Sequence, residues 1–180
     1  MKPPAYGPYG LMAEFHDPHV LLEAAERAYA AGYRRMDAYT PIPIEGLAHA
    51  IGHHSTRLPW LTLAGALAGG GGGYFMQYYA AAVDYPINVG GRPLHSWPSF
   101  IPITFELTIL IAAFATVLGM LALNGLPMPY HPVFNVPAFK MASRDRFFLC
   151  IEARDPHFDL EQTRAFLQSL QPLDVAEVQP

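Results

Sequence analysis

His16, His19, His49, His53, His54 and His157 are the side chains best suited to hold a metal ion or haem, and each lies outside the two long apolar stretches of the chain. Their placement argues against a shared ion. His16, His19 and His157 flank expected helix starts, and neighbours such as His53 and His54 rarely converge on one ion without a third ligand placed by the fold. Capping, packing and solvation are the expected roles. Cys150 is the only cysteine, so there is no internal disulfide and no CxxC or CxxCH site for zinc, an iron–sulfur cluster or covalent haem. Inside an apolar run it reads as core packing. No Ser/His/Asp or Cys/His arrangement and no paired carboxylate stands in a credible context, so no catalytic residue, metal site or cofactor is expected in this chain.

Two features inside the apolar stretches are more informative. The run Gly69 to Gly73 lacks the Lys-Ser/Thr that a phosphate loop needs. Gly65, Gly69 and Gly73 instead recur every four residues and line one helix face, where another backbone can approach closely enough to offset the roughly 1 kcal/mol cost of each helical glycine. The second apolar stretch could fill that face, but its flatness suggests a larger partner. Glu106 is the only ionisable residue within either stretch, about eight residues, or roughly 12 Å, from the outer end of its helix. A carboxyl in such surroundings is costly. Three roles fit it: a hydrogen bond to a partner subunit, intramembrane proton transfer completed by other subunits, or lipid exposure.

The elements that must position these residues follow from composition and pattern. The chain of 180 residues is 52% hydrophobic and only 14% charged, unusual for a soluble domain. The net charge of −4 is spread thinly, without the basic cluster that nucleic acid requires. Residues 58–83 carry no charge and exceed the roughly 20 residues of a membrane-spanning helix. Residues 98–124 form a second apolar stretch interrupted only by Glu106, with Trp60 and Trp97 suited to interfacial anchoring. Two spans are expected, joined by an outer loop over 84–97. The N-terminus has no apolar h-region behind a basic start, so the first segment is expected in the cytoplasm. Lys2, Arg27, Arg34, Arg35 and Arg57 precede the first span, Lys140, Arg144, Arg146, Arg154 and Arg164 follow the second, and the loop has only Arg92. Both termini are therefore expected on the cytoplasmic side.

The two ends of the chain echo each other. Glu14-Phe15-His16-Asp17-Pro18-His19 recurs as Glu152-Ala153-Arg154-Asp155-Pro156-His157. Each copy follows an apolar strand pattern, over 9–15 and 147–153, and in each Asp followed by Pro is a helix-start signal. Helices are expected over 18–31 and 156–170, then strands over 34–39 and 174–178. The order βαβ, hairpin, βαβ matches an α+β membrane protein whose ferredoxin-like split βαβ domain is built from residues 1–57 and 125–180. Ile44, Leu47 and Ile51 suggest a short helix near the interface. Pro127, Pro129, Pro132 and Pro137 predict an irregular, extended connector over 125–144, suited to lie along a partner.

Tyr9-Gly10-Leu11-Met12-Ala13-Glu14-Phe15, Tyr39-Thr40-Pro41-Ile42-Pro43-Ile44-Glu45-Gly46-Leu47, Leu58-Pro59-Trp60, Phe100-Ile101-Pro102-Ile103-Thr104-Phe105-Glu106-Leu107-Thr108 and Ala142-Ser143-Arg144-Asp145-Arg146-Phe147 together resemble the D subunit of bacterial alternative complex III. The resemblance implies an accessory, cofactor-free, two-span subunit of a quinol-oxidising complex in the bacterial inner membrane. It places haems and iron–sulfur clusters in the A, B and E subunits and makes the multi-span C and F subunits partners. His49, His53 and His54 stand where that family's juxtamembrane segment is expected to be more charged. The rival expectation is a membrane-tethered sensor whose ferredoxin-like domain binds a metal or small ligand.

Overall fold

The computed structural model describes residues 7–53 and 56–180; expectations placed on residues 1–6 and on His54 lie outside them. The chain forms two compact units, Met1–His54 with Pro129–Pro180, and Ser55–Met128.

The first unit is a mixed helix and sheet domain. Strands β1 (Gly10–Phe15), β2 (Met36–Tyr39), β3 (Phe147–Glu152) and β4 (Asp174–Val178) form one sheet in the order β2-β3-β1-β4, and every neighbouring pair is antiparallel. The central pair joins the two ends of the chain, with Met12 opposite Cys150 and Phe15 opposite Phe147. At Gly10 a side chain would strike the Ile151 carbonyl across the ladder, so that position requires glycine.

Helices α1 (Pro18–Ala30) and α5 (Leu160–Ser169) pack on one sheet face. Leu11, Ala13, Phe15, Leu149 and Ile151 meet Leu21, Ala25, Ala28 and Leu167 there. The other face, with Met12, Phe148, Cys150 and Val178, is covered by Val133, Val136 and Ala142. This explains why β3 reads Phe-Phe-Leu-Cys-Ile without alternation: both sides of the strand are buried. The covering residues come from the proline-rich connector, which is wound into 3-10 turns at Pro132–Asn135 and Pro137–Ser143 rather than extended. The short helix α2 (Leu47–Ala50) buries Leu47 and Ala50 in the core of this unit, so its apolar face is spent within the domain.

The two copies of the Asp-Pro motif diverge. Asp17 caps α1, accepting the N–H groups of His19 at 2.7 Å and Val20 at 3.3 Å. Asp155 does not cap α5. Its carboxylate accepts from Arg34 N at 2.6 Å, Arg35 N at 2.7 Å and His157 N at 2.8 Å, leaving residues 155–158 as a turn. The cap falls to Asp159, which accepts from Gln162 N at 2.9 Å, and α5 starts four residues later than the motif predicts. Its buried positions are Thr163 and Leu167.

The second unit is an antiparallel helical hairpin. Helix α3 (Leu58–Tyr78) runs on into a π-helical segment, Tyr79–Asp84, and α4 covers Trp97–Leu123. Pro59 and Pro98 occupy the first turns, where a missing N–H is harmless. At the other end of α4, Gly125 takes a left-handed conformation (φ 67°), and the bonds Gly125 N to Ala122 O and Leu126 N to Leu121 O satisfy the last carbonyls. Among the described helices only α4 is long and apolar enough to cross a membrane. The five successive glycines of α3 dilute its hydropathy, so the expectation of two spans is met on this criterion by one helix.

Candidate functional site: the helical hairpin and Glu106

The glycine face of α3 is occupied by α4 of the same chain. A side chain at Gly65 would lie 2.6 Å from Ala115 Cβ, at Gly69 it would strike the Leu107 carbonyl and Ile111, and at Gly73 it would lie 2.8 Å from Leu107. The spacing of these glycines in the sequence admits either the second apolar stretch or a larger partner on this face. Gly119 completes the seam from the α4 side, where a side chain would strike Leu61.

Polar groups fasten the same seam. Thr62 and Thr116 hydroxyls meet at 2.7 Å; one donates to the other, and the accepting hydroxyl is free to donate to its own helix, at Leu58 O from Thr62 or at Ala112 O from Thr116. The Gln77 amide nitrogen lies 3.1 Å from the carbonyls of Gly73 and Phe100 and 3.2 Å from Thr104 Oγ1. Thr108 turns back to Thr104 O at 2.6 Å. Beyond Gln77, the Tyr74 hydroxyl lies 2.6 Å from His95 Nε2, with Tyr78 and Phe100 packed around that imidazole. Sequence reading missed Gln77 and the two threonines. Their signal was faint: at 62, 77, 104 and 116 the few polar side chains of the apolar stretches fall at helical spacing on the glycine-facing side.

Glu106 is elsewhere. Its side chain is exposed, and among the described residues no side chain or backbone group bonds to its carboxylate. The seam positions of α4, Phe100, Thr104, Leu107, Ile111 and Ala115, share one side of the helix; at 3.6 residues per turn Glu106 is nearly opposite them. Pro102, one turn earlier on the same side as Glu106, has no N–H to give the Pro98 carbonyl.

The histidines singled out by type do not converge. His16, His19, His49, His53 and His157 are exposed, and His157 Nδ1 lies 3.8 Å from the Asp155 carboxylate. Among the described residues no group of His, Cys, Asp or Glu could hold a metal ion. Burial pushes the Cys150 thiol far up, and the nearby Asp37 and Glu152 add to it, which disfavours the nucleophilic thiolate.

His131, from the connector, was not anticipated. Its Nδ1 accepts from Val133 N at 3.4 Å, which leaves the hydrogen on Nε2, 3.4 Å from the Tyr9 hydroxyl; Tyr9 in turn donates to Glu152 at 3.2 Å. Burial, with the Glu152 carboxylate beside it, raises the Tyr9 hydroxyl well above its ordinary range. Tyr9 therefore stays a neutral donor, and the contact pins the connector to the sheet.

A mixed helix and antiparallel sheet domain and a helical hairpin, one helix of which has the length and apolarity to cross a bilayer, are features that suit a membrane-associated protein. Residues 9–177 match the family model of the alternative complex III ActD subunit, and the chain belongs to that family. No curated protein matches it. Membership makes the chain one subunit of an electron-transport assembly, so part of its surface meets other subunits.

Proposed function

We propose that the chain is an accessory, non-catalytic subunit of a respiratory or photosynthetic quinol-oxidising alternative complex III, without a redox cofactor of its own. Its hairpin crosses the bacterial inner membrane twice and packs against the multi-span C and F subunits, while haems and iron–sulfur clusters reside in other subunits. Both termini face the cytoplasm, where the sheet domain adopts a ferredoxin-like arrangement.

The observation that carries this reading is the family match over nearly the whole chain, and the hairpin supports it. Helix α3 has 21 residues, about 31 Å at helical rise, enough to cross a hydrocarbon core of about 30 Å. Its mean apolarity is diluted by glycines that face α4 and by Gly71 and Gly72, not by charges. The strand order β2-β3-β1-β4, with α1 and α5 on one face, supports the split βαβ reading. Glu106, exposed on an otherwise apolar helix face, supports contact with a partner or a part in proton transfer.

The test is deletion of the chain from its native host. The expected result is that haem absorbance persists in the membranes while the detergent-extracted complex loses integrity and quinol oxidation falls. Loss of one distinct haem signal with the remaining subunits still assembled would overturn the cofactor-free reading.

A further inference from the structure

We propose that the side of α4 bearing Glu106 docks a membrane helix of another subunit that presents a basic side chain to that carboxylate. The inference rests on the reading of the hairpin as membrane-embedded within the complex, and it specifies the chemistry of the partner.

The argument begins with where the hairpin spends its polar groups. Thr62, Gln77, Thr104, Thr108 and Thr116 all lie in or beside the α3–α4 seam, and all are satisfied there. Glu106 contributes nothing to that seam. It is exposed on the far side of α4, among Pro102, Ile109, Leu110, Ala113 and Val117, which are exposed as well. A carboxylate in lipid-like surroundings is retained only against a cost, and such groups face a bundle interior, a watery cavity or an opposite charge.

The same side of the helix offers a second acceptor. Pro102 cannot donate to the Pro98 carbonyl, so one turn from Glu106 a backbone oxygen also lacks its usual partner. The surface thus presents two acceptors, one of them anionic, and no donor. A hydroxyl or amide could bond the carboxylate but would leave its charge uncompensated. A lysine, arginine or histidine supplies both donors and charge. Glu106 lies nine residues from Trp97, about 13 Å along the axis at helical rise, so the basic group should lie at a similar distance from the corresponding end of its own helix.

The test uses the assembled complex in native membranes. A benzophenone amino acid at Leu110, one turn from Glu106 on the same side, should cross-link to a membrane helix of another subunit with Lys, Arg or His within one turn of the attachment point. Glu106→Leu should lower recovery of that subunit with the tagged chain by tenfold or more, and exchanging charges between Glu106 and the partner's basic residue should restore it. Cross-linking to lipid alone or to a stretch without basic residues would overturn the proposal, as would wild-type recovery with Glu106→Leu. An intact Glu106→Gln complex that has lost quinol oxidation would assign the carboxyl to proton transfer and overturn it too. In each of these cases the wild-type chain still brings its partners. If it brings none, the reading as a complex subunit falls as well.

Discussion

The buried Asp155 carboxylate accepts the backbone N–H of Arg34 at 2.6 Å, so a residue of the second half of the chain holds the start of β2 in the first. Burial alone would raise the Asp155 pKa, but N–H donors from Arg34, Arg35 and His157, with the His157 ring nearby, outweigh it and hold the carboxyl below its ordinary value. A group depressed in this way contributes stability that is fully present above its unfolded pKa and is lost as pH falls through the lower folded value.

Asp155→Asn should therefore cost the sheet domain about 2–4 kcal/mol at neutral pH. Hydrogen exchange at the Arg34 and Arg35 amides in the full chain, held in detergent, should show it. The gap between wild type and variant should close in acid, because only the wild type loses this contribution as the pH drops. A gap independent of pH would show that the charge is irrelevant.

Gly69→Leu and Gly71→Ala separate the two sides of α3. A side chain at 69 strikes the Leu107 carbonyl, whereas a Cβ at 71 meets nothing within 4 Å. The first should destabilise the hairpin by about 1–3 kcal/mol or more; the second should leave it unchanged or slightly firmer. Disulfide formation between cysteines placed at Thr62 and Thr116, whose hydroxyls now meet at 2.7 Å, reads helix pairing directly. It should fall sharply with Gly69→Leu alone.

The Thr62–Thr116 contact itself should be modest. Replacing either threonine by valine should cost about 1 kcal/mol in hairpin stability, with a coupling of about 0.6 kcal/mol in a double-mutant cycle. Additive single effects would show that the two hydroxyls bond only to their own helices.

Cys150 is buried, and its thiol is pushed up first by burial and then by Asp37 and Glu152. Thiol labelling of the native chain at pH 8 should be at least a hundredfold slower than that of the denatured chain, and the native rate should follow opening of the sheet. Rapid native labelling would mean that the connector does not seal this face.

What was legible in the sequence had local causes. Asp17-Pro18 marks α1 because its signal and its cap are the same residue, and the run Phe147–Glu152 reads as a strand because apolar side chains, Phe147 to Ile151, fill both of its faces. The start of α5 was misplaced because Asp155, in the same motif, is drawn to Arg34 and Arg35, 121 and 120 residues away. That competition is tertiary and leaves no trace in local spacing. The connector was expected to be extended, since prolines at 132 and 137 break longer helices; both also begin 3-10 turns, and Val133, Val136 and Ala142 fold onto the sheet. At the hairpin, the small-residue face of α3 was legible but the element filling it was not. Glu106 was legible as an oddity of type, and only its position opposite the seam shows that the hairpin does not use it.

The most direct measurement is affinity purification of the tagged chain from mildly solubilised native membranes, with mass identification of its companions and a visible absorbance spectrum. The account predicts copurifying multi-span, multi-haem and iron–sulfur subunits with a haem spectrum that belongs to them. A colourless chain recovered alone would contradict it and favour a membrane-tethered sensor.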